Sequence, residues 1–515
     1  MGLKPRQFFG GKKVKSRLFD QTYKQLESFE DSKKTVGDSS IQQLKETFGS
    51  SSVPSGGLPP NDYIHWLFES VLPDAVRTHQ KRFIGHMTSA LPDFVSPLSH
   101  IISTLNQNVV KLETSQSFSF LERQSLAMLH RLIYEKSDAF YDEHIHKPKS
   151  TLGMLVSGGT LANISALWCA RNHALGAGSA LKSVSQVGLS TALYEHGYKK
   201  AILVGSPLMH YSLRKAADLL GLGEDGLVKC PVDSQQKMDV QELRRILDDA
   251  EKNQIFIVAI VAIAGATETG TVDPLNDIAK CASEYGIHMH VDAAWGGPLL
   301  FSKAHKGLLG GIEKADSVTF DGHKQLYLPM GIGMTLYKDP NKASTIEKNS
   351  RYIIRKGSLD LGRRSLEGSR PSMALYLHAG LHIFGAAGYE NLIDESIKRT
   401  TLFAKLIEID PDFEVVTNPQ MNILTYRFND QMDQVLTKSS NERLNDINQH
   451  IHQHQWQAGK SLISRTTLYF KIQGELKPHT VLRSILANPN TTETDLKAIL
   501  KEQKQIALDV ISSST

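Results

Sequence analysis

Residues 318–331 read VTFDGHKQLYLPMG, an apolar run followed by a glycine and a His-Lys pair where the chain turns. Lysine is rarely buried without a partner. Taken alone, the stretch fits a surface lysine at a strand end as well as a buried, working one. The choice depends on what else the chain carries at comparable ends.

Short β-rich runs alternate with helical segments between about residues 150 and 338: GMLVSGG, AILVGSP, IFIVAIVAIAG, HMHVDAAW, DSVTFDG and GMTLYKD. This alternation predicts an α/β lobe with a mainly parallel sheet buried on both faces. Open sheets of that kind bind ligands at the carboxyl ends of their strands. Helical periodicity precedes the lobe, in LSHIISTLNQNVVKLE and FLERQSLAMLHRLIY. Beyond about residue 370 come further helices and the strand-like runs FEVV, ILTYRF and TTLYFKI, which predict a smaller α+β lobe. The expected organisation is an arm over 1–57, flexible by composition and partly helical around IQQLKETF, and a helical segment over 58–145. A large α/β domain over 146–370 and a small C-terminal domain over 371–515 complete it.

Composition narrows the function. The chain has 515 residues, 40% hydrophobic and 22% charged, with a formal net charge of +4. So small a charge speaks against nucleic-acid binding, which wants a clustered basic face. No apolar run approaches the ~20 residues of a membrane span. Cys169, Cys230 and Cys281 are few and widely spaced, as expected of a reducing cytosol, and the N-terminus lacks the apolar core of a signal peptide. The expected setting is cytoplasmic.

The strand HMHVDAAW reaches Asp292, and an acidic residue closing an apolar strand is costly unless it holds a positive partner. Lys324 follows about thirty residues later, and an amine in a closed pocket is a nucleophile for carbonyls once it sheds its proton. Together they suggest a pyridoxal phosphate site, with Lys324 forming the Schiff base and Asp292 pairing with the pyridinium nitrogen. At ~3 Å and an effective dielectric near 20, such an ion pair contributes about 5 kcal/mol before desolvation. Ala294 is small enough to let a flat ring lie close to the backbone. LVSGGTLANISAL supplies a tight turn and a helix start, where Gly159 and Thr160 offer free amides and a hydroxyl to a phosphate. His210 follows a strand and precedes a helix, where it can stack on the ring and move protons. Thr267 ends VAIAGAT as a hydrogen-bonding candidate. His288 and His290, and the HIHQH run His450–His454, resemble metal ligands only by composition, and no metal site is expected.

The set SGGTLANISAL, MHYSLRKA, AGATETGTVDPL, HVDAAWGG and SVTFDGHKQ resembles the group II pyridoxal-dependent amino-acid decarboxylases over about residues 60–495. The resemblance implies a fold-type-I enzyme with a mainly parallel seven-stranded sheet, working as a homodimer with active sites at the subunit interface. It makes Lys324, Asp292 and His210 the catalytic set. His323 would help Gly159 and Thr160 hold the phosphate, and Ser369 would reach it from the partner subunit. Arg483 would meet the substrate α-carboxylate. Tyr352, the single tyrosine in residues 341–365, is the candidate for protonating the product. Asp321 and Gly322 stand where many relatives carry Asn-Pro, and Asp321 is assigned no contact because its charge would repel a phosphate.

RFIGHMTSALPDFVSPLSH and DGHKQLYLPMGIG resemble a bacterial branch that converts L-aspartate to β-alanine for pantothenate and coenzyme A. Arg82 and Asn106 are available to meet an acidic side chain. Glutamate and cysteine sulfinate are the alternative substrates. A non-catalytic cofactor-binding regulator is the remote alternative, and residues 1–57 offer it no convincing helix-turn-helix.

Overall fold

Nine consecutive apolar residues, Ile255–Ile263, form the longest strand of the large sheet, and the last seven of them are buried. The computed structural model describes residues 12–30, 34–176, 182–351, 354–431 and 435–514. In chain order the large sheet contains β1 (Gly153–Val156), β2 (Lys200–Gly205), β3 (Leu227–Lys229), β4 (Ile255–Ile263), β5 (Met289–Asp292), β6 (Ser317–Asp321) and β7 (Gly333–Tyr337). They lie in the order β1-β7-β6-β5-β4-β2-β3. Only β7 runs against its neighbours, and β6 through β3 pair parallel. All six expected strands form. The seventh, β3, has three residues at the sheet edge, too short to leave a periodic signal.

Parallel pairing places the last residues of β5 and β6, Asp292 and Asp321, at one edge of the sheet. The helix Gly159–Ala174 packs across that sheet and buries residues on most of its sides, as a helix within a core must.

A second sheet holds β8 (Phe413–Thr417), β9 (Ile423–Phe428), β10 (Ser464–Ile472) and β11 (Glu475–Ile485), ordered β10-β11-β9-β8 and antiparallel throughout. Its apolar side joins Phe403, Ile407, Ile447, Ile451 and Ile499 from three covering helices in a separate core. The sequence reading missed β11, whose ELKPHTVLRSI mixes charges and a proline. The missed signal is the turn. Gln473 and Gly474 both adopt positive φ (51° and 85°), the conformation of a two-residue hairpin that pairs Ile472 with Glu475.

Within the first 57 residues, Ile41–Thr47 is helical, as IQQLKETF suggested, and is closed by a Ser40/Gln43 capping box. A second helix, Lys12–Glu30, was not anticipated. It is anchored by Phe19 against His100 and by Phe29 beneath Arg77. Among the described residues, no helix is long and apolar enough to cross a membrane.

His130 is enclosed between the helix Ser117–Tyr134 and β7. Its Nε2 donates to the Tyr337 carbonyl (3.0 Å), and its Nδ1 accepts from the Tyr141 hydroxyl (2.9 Å). Burial pushes its pKa from 6.5 down to about 4. The folded chain therefore binds this proton less readily than the unfolded chain. The stability from neutral His130 is complete above the unfolded pKa and is lost as pH falls from 6.5 towards 4, by about 3 kcal/mol. Urea unfolding measured from pH 7 to pH 4 is expected to show falling stability, with a shallower slope for His130→Gln. Parallel slopes for the two proteins would contradict the assignment.

Candidate active site

A cavity of about 270 Å³ opens at the carboxyl ends of the parallel strands. Gly159, Thr160, His210, Thr267, Asp292, Ala294, His323 and Lys324 all line it, so eight residues chosen from separate motifs converge on one space.

The turn after β6 answers why the lysine faces inward. Gly322 donates its N–H to the Ile332 carbonyl (2.9 Å), and Leu328 donates back to the Gly322 carbonyl (3.1 Å). Gln325 Nε2 donates to the Trp295 carbonyl (2.7 Å), tying this turn to the one that follows β5. Lys324 is thereby held with its side chain 14% exposed and its Nζ 3.1 Å from Asp321 Oδ2.

That contact corrects the reading of Asp321. The carboxylate is buried beside the phosphate-type turn, not turned away from it. A Cβ on Gly159 would lie 2.7 Å from Asp321 Oδ2, and one on Gly333 would lie 2.8 Å from Oδ1 and 2.5 Å from Gly158 Cα. Glycine at 159 and 333 is what lets β7, the turn and the carboxylate share this volume. The Lys324 ammonium offsets the charge, and His323 Nε2 lies 3.5 Å from Oδ2. His323 Nδ1 donates to the Ile332 carbonyl (2.9 Å), which fixes the ring. Asp321 Oδ1 has no hydrogen-bond partner.

Asp292 is buried, and each oxygen accepts one hydrogen bond: Oδ1 from the Ala294 amide (3.1 Å) and Oδ2 from Asn163 Nδ2 (2.8 Å). His210 Nδ1 accepts from the Ser212 amide (3.3 Å), so in the neutral ring the proton is on Nε2. Burial holds the His210 pKa below its ordinary value, and the Asp292 carboxylate only partly opposes that shift. The first intrahelical bond of Gly159–Ala174 is donated by Ala162 to the Gly158 carbonyl. The amides of Gly159, Thr160 and Leu161 are therefore free of the helix ladder and suited to an anion.

Other expected residues lie outside the cavity lining. Arg483 stands at its margin, with Nε donating to the Thr267 carbonyl (2.5 Å) and Nη1 to Ser464 Oγ (3.1 Å). Burial pushes its pKa down to about 10, against the pull of Glu268. Arg82 is not at the mouth: it pairs with Asp495 (3.3 Å), because residues 82–84 bond alongside Leu462 in the second lobe. Asn106 closes the helix Val95–Leu105 in the left-handed conformation (φ 44°), a helix-ending role for which asparagine is suited. Ser369 accepts from Asn108 Nδ2 (3.0 Å) outside this chain's own cavity. Tyr352 lies outside the described residues.

The sequence reading overlooked His86, Met87 and Asn163. Met87 and Asn163 line the cavity. The His86 pKa is lowered first by burial and then by the charges of Arg483, Lys324 and His323, which sets it beside the same group. GHM and LANISAL were both on view, but neither has a spacing that marks a ligand.

A buried amine, a hydrogen-bonded carboxylate beside a small alanine, and free amides at a helix start fit a flat aldehyde cofactor with an anionic tail. These features define the class of a fold-type-I pyridoxal phosphate enzyme. The chain matches the pyridoxal-dependent decarboxylase conserved domain over residues 60–429. It is 42% identical over 475 residues to an aspartate 1-decarboxylase of Aliivibrio fischeri, covering 91% of this chain and 87% of that one. It is 29% identical to an L-aspartate decarboxylase of Metarhizium robertsii, over 73% of this chain and 71% of the other. The crystal structure of mouse CSAD shares the fold, with a TM-score of 0.84 at 23% identity, covering 96% of this chain and 99% of that one. The chain belongs to the pyridoxal-dependent decarboxylases, and its cofactor is pyridoxal 5'-phosphate.

A Gly159→Ala change would drive a methyl group into Asp321. Relieving that contact costs ~1–3 kcal/mol, so cofactor affinity is expected to fall by about fivefold or more. Absorbance titration of the cofactor-free protein measures this, and unchanged affinity would refute the packing argument.

Proposed function

We propose that this decarboxylase converts L-aspartate to β-alanine and CO₂, serving pantothenate and coenzyme A synthesis in the cytoplasm. The observation that carries the reading is the 42% identity, over 91% of the chain, to a protein named aspartate 1-decarboxylase. A second relative named for L-aspartate supports it.

In this reading Lys324 binds the cofactor, Asp292 meets its ring nitrogen, and His210 and Ala294 flank the ring. Gly159, Thr160 and His323 hold the phosphate. When bound, pyridoxal phosphate supplies an electron sink for the bond to the departing carboxylate. The chain's task is orientation. Arg483 would grip the α-carboxylate so that this bond stands perpendicular to the ring, and Thr267 would keep the guanidinium in place. His210, with its proton on Nε2, can return a proton after CO₂ leaves, and Tyr352 is the other candidate. The enzyme would act as a homodimer with interface active sites, where Ser369 of one chain serves the other.

Glutamate and cysteine sulfinate are the second reading on the same scaffold. Aspartate and glutamate differ by one methylene, which a shaped pocket separates by ~1–3 kcal/mol, or roughly 10–200-fold. The test is to incubate loaded enzyme with each of the three acids and identify the amines by mass. β-Alanine is expected to dominate, with multiple turnovers lost in Lys324→Ala. Dominant γ-aminobutyrate or hypotaurine would replace the substrate, and sustained turnover by Lys324→Ala would refute the role of the lysine.

A further inference from the structure

A row of buried polar side chains leads from Asp292 to the opposite edge of the large sheet. Asn163 Nδ2 donates to Asp292 Oδ2 (2.8 Å) and to Ser212 Oγ (3.0 Å). Its Oδ1 lies 3.0 Å from His290 Nε2. An amide oxygen only accepts, so that nitrogen carries the proton. Thr319 Oγ1 also lies 3.4 Å from it. Burial pushes the His290 pKa down to about 4 and so keeps the ring neutral, leaving Nδ1 as an acceptor. Ser317 Oγ, 2.8 Å away, donates to it. The single serine proton is then committed, so His288 Nε2, 2.8 Å from the same Oγ, is the next donor. His288 is also neutral, since burial pushes its pKa down to about 3. Its Nδ1 ends the row as a buried lone pair with no hydrogen-bond partner, 4.0 Å from Asp316 Oδ2. Asp316 pairs with Lys342 (3.4 Å), and both line a groove of about 440 Å³ at this edge.

From His288 through Ser317, His290 and Asn163, each successive bond is donated towards Asp292, while the second Asn163 N–H goes to Ser212. With both imidazoles neutral and every contact in the row made as a hydrogen bond, the amide, the two rings and the one hydroxyl fit this order. Hydrogen bonds aligned head to tail polarise one another in a low-dielectric interior, and the last one is charge-assisted at the carboxylate. The placement follows from strand alternation. His290 and Asp292 share one side of β5, which His288 just precedes, and Ser317 and Thr319 share the matching side of β6, with Ser317 opposite His290 and Thr319 opposite Asp292. A polar stripe inside such a sheet has no stability advantage over apolar side chains of the same shape. His288, His290 and Ser317 do not line the catalytic cavity.

We propose that His288, Ser317, His290 and Asn163 form a positioning relay that orients the Asp292 carboxylate and strengthens its hold on the ring nitrogen of the cofactor. This rests on the reading of Asp292 as the partner of that nitrogen. His288, Ser317 and His290 act through Asn163 and touch neither cofactor nor substrate.

The test compares wild type with Ser317→Ala, which removes one hydroxyl and leaves Asp292, Asn163 and Lys324 in place. Each protein is loaded either with pyridoxal phosphate or with an analogue whose ring nitrogen is replaced by a C–H group. With the natural cofactor, Ser317→Ala is expected to lower kcat about tenfold at nearly constant KM and to shift the absorbance maximum of the bound chromophore. With the analogue, the two proteins are expected to match. Should Ser317→Ala not fold, His288→Phe interrupts the row at its outer end and is expected to give the same pair of results. Equal losses with both cofactors, or no change in rate and spectrum with either, would overturn the relay. Asp292→Asn separates the two ideas: if it leaves rate and spectrum untouched with the natural cofactor, the reading of Asp292 fails; if it alone has an effect, only the relay fails.

Discussion

Parallel pairing of β5 with β6, Val291 opposite Val318 and Asp292 opposite Thr319, brings a carboxylate and the lysine-bearing turn out at the same edge of the sheet. Reversing one strand would send Lys324 to the far side. The neighbouring parallel strand β4 delivers Thr267 to that edge, and β2 delivers His210. The antiparallel β7 contributes in another way. It returns from the Lys324 turn and passes directly against Gly158, closing the floor of the anion cradle.

That floor carries the least expected charge in the site. Asp321 lies beneath amides suited to an anion, yet it is neither solvated nor turned away. Lys324 and His323 flank it, and two glycines leave it room. The objection that a carboxylate repels a phosphate assumed that the two charges meet alone. Within the site Asp321 is not alone, because the Lys324 ammonium stands 3.1 Å from its Oδ2 and offsets its charge. The same interior logic applies at β5 and the residue before it, where His290 and His288 stay neutral because burial costs a charged imidazole more than nearby carboxylates return.

The second lobe contributes through a hairpin. β10 and β11 meet at Gln473-Gly474, and their register sets Arg483 opposite Ser464, whose hydroxyl receives the guanidinium. The Arg483 Nε reaches across to the Thr267 carbonyl, so this arginine joins the two sheets at the edge of the cavity. Arg82 comes from the same neighbourhood in the fold, but its partner is Asp495, and that pairing takes it out of the site.

The sequence by itself determined the architecture and most of the cavity. Strand-length apolar runs, and the marked residues closing them, have only one place to converge in a parallel sheet. Lys324, Asp292, His210, Gly159 and Thr160 were legible for that reason. What only the tertiary structure decided involves partners distant along the chain. Asp321 against Lys324 and Gly333, Arg82 against Asp495, and the row from His288 to Asn163 each depend on side-chain direction and depth. His288 and His290 are the plainest case. Read along the chain they are two histidines on a strand; in the fold, burial and a shared serine align their hydrogen bonds in one direction.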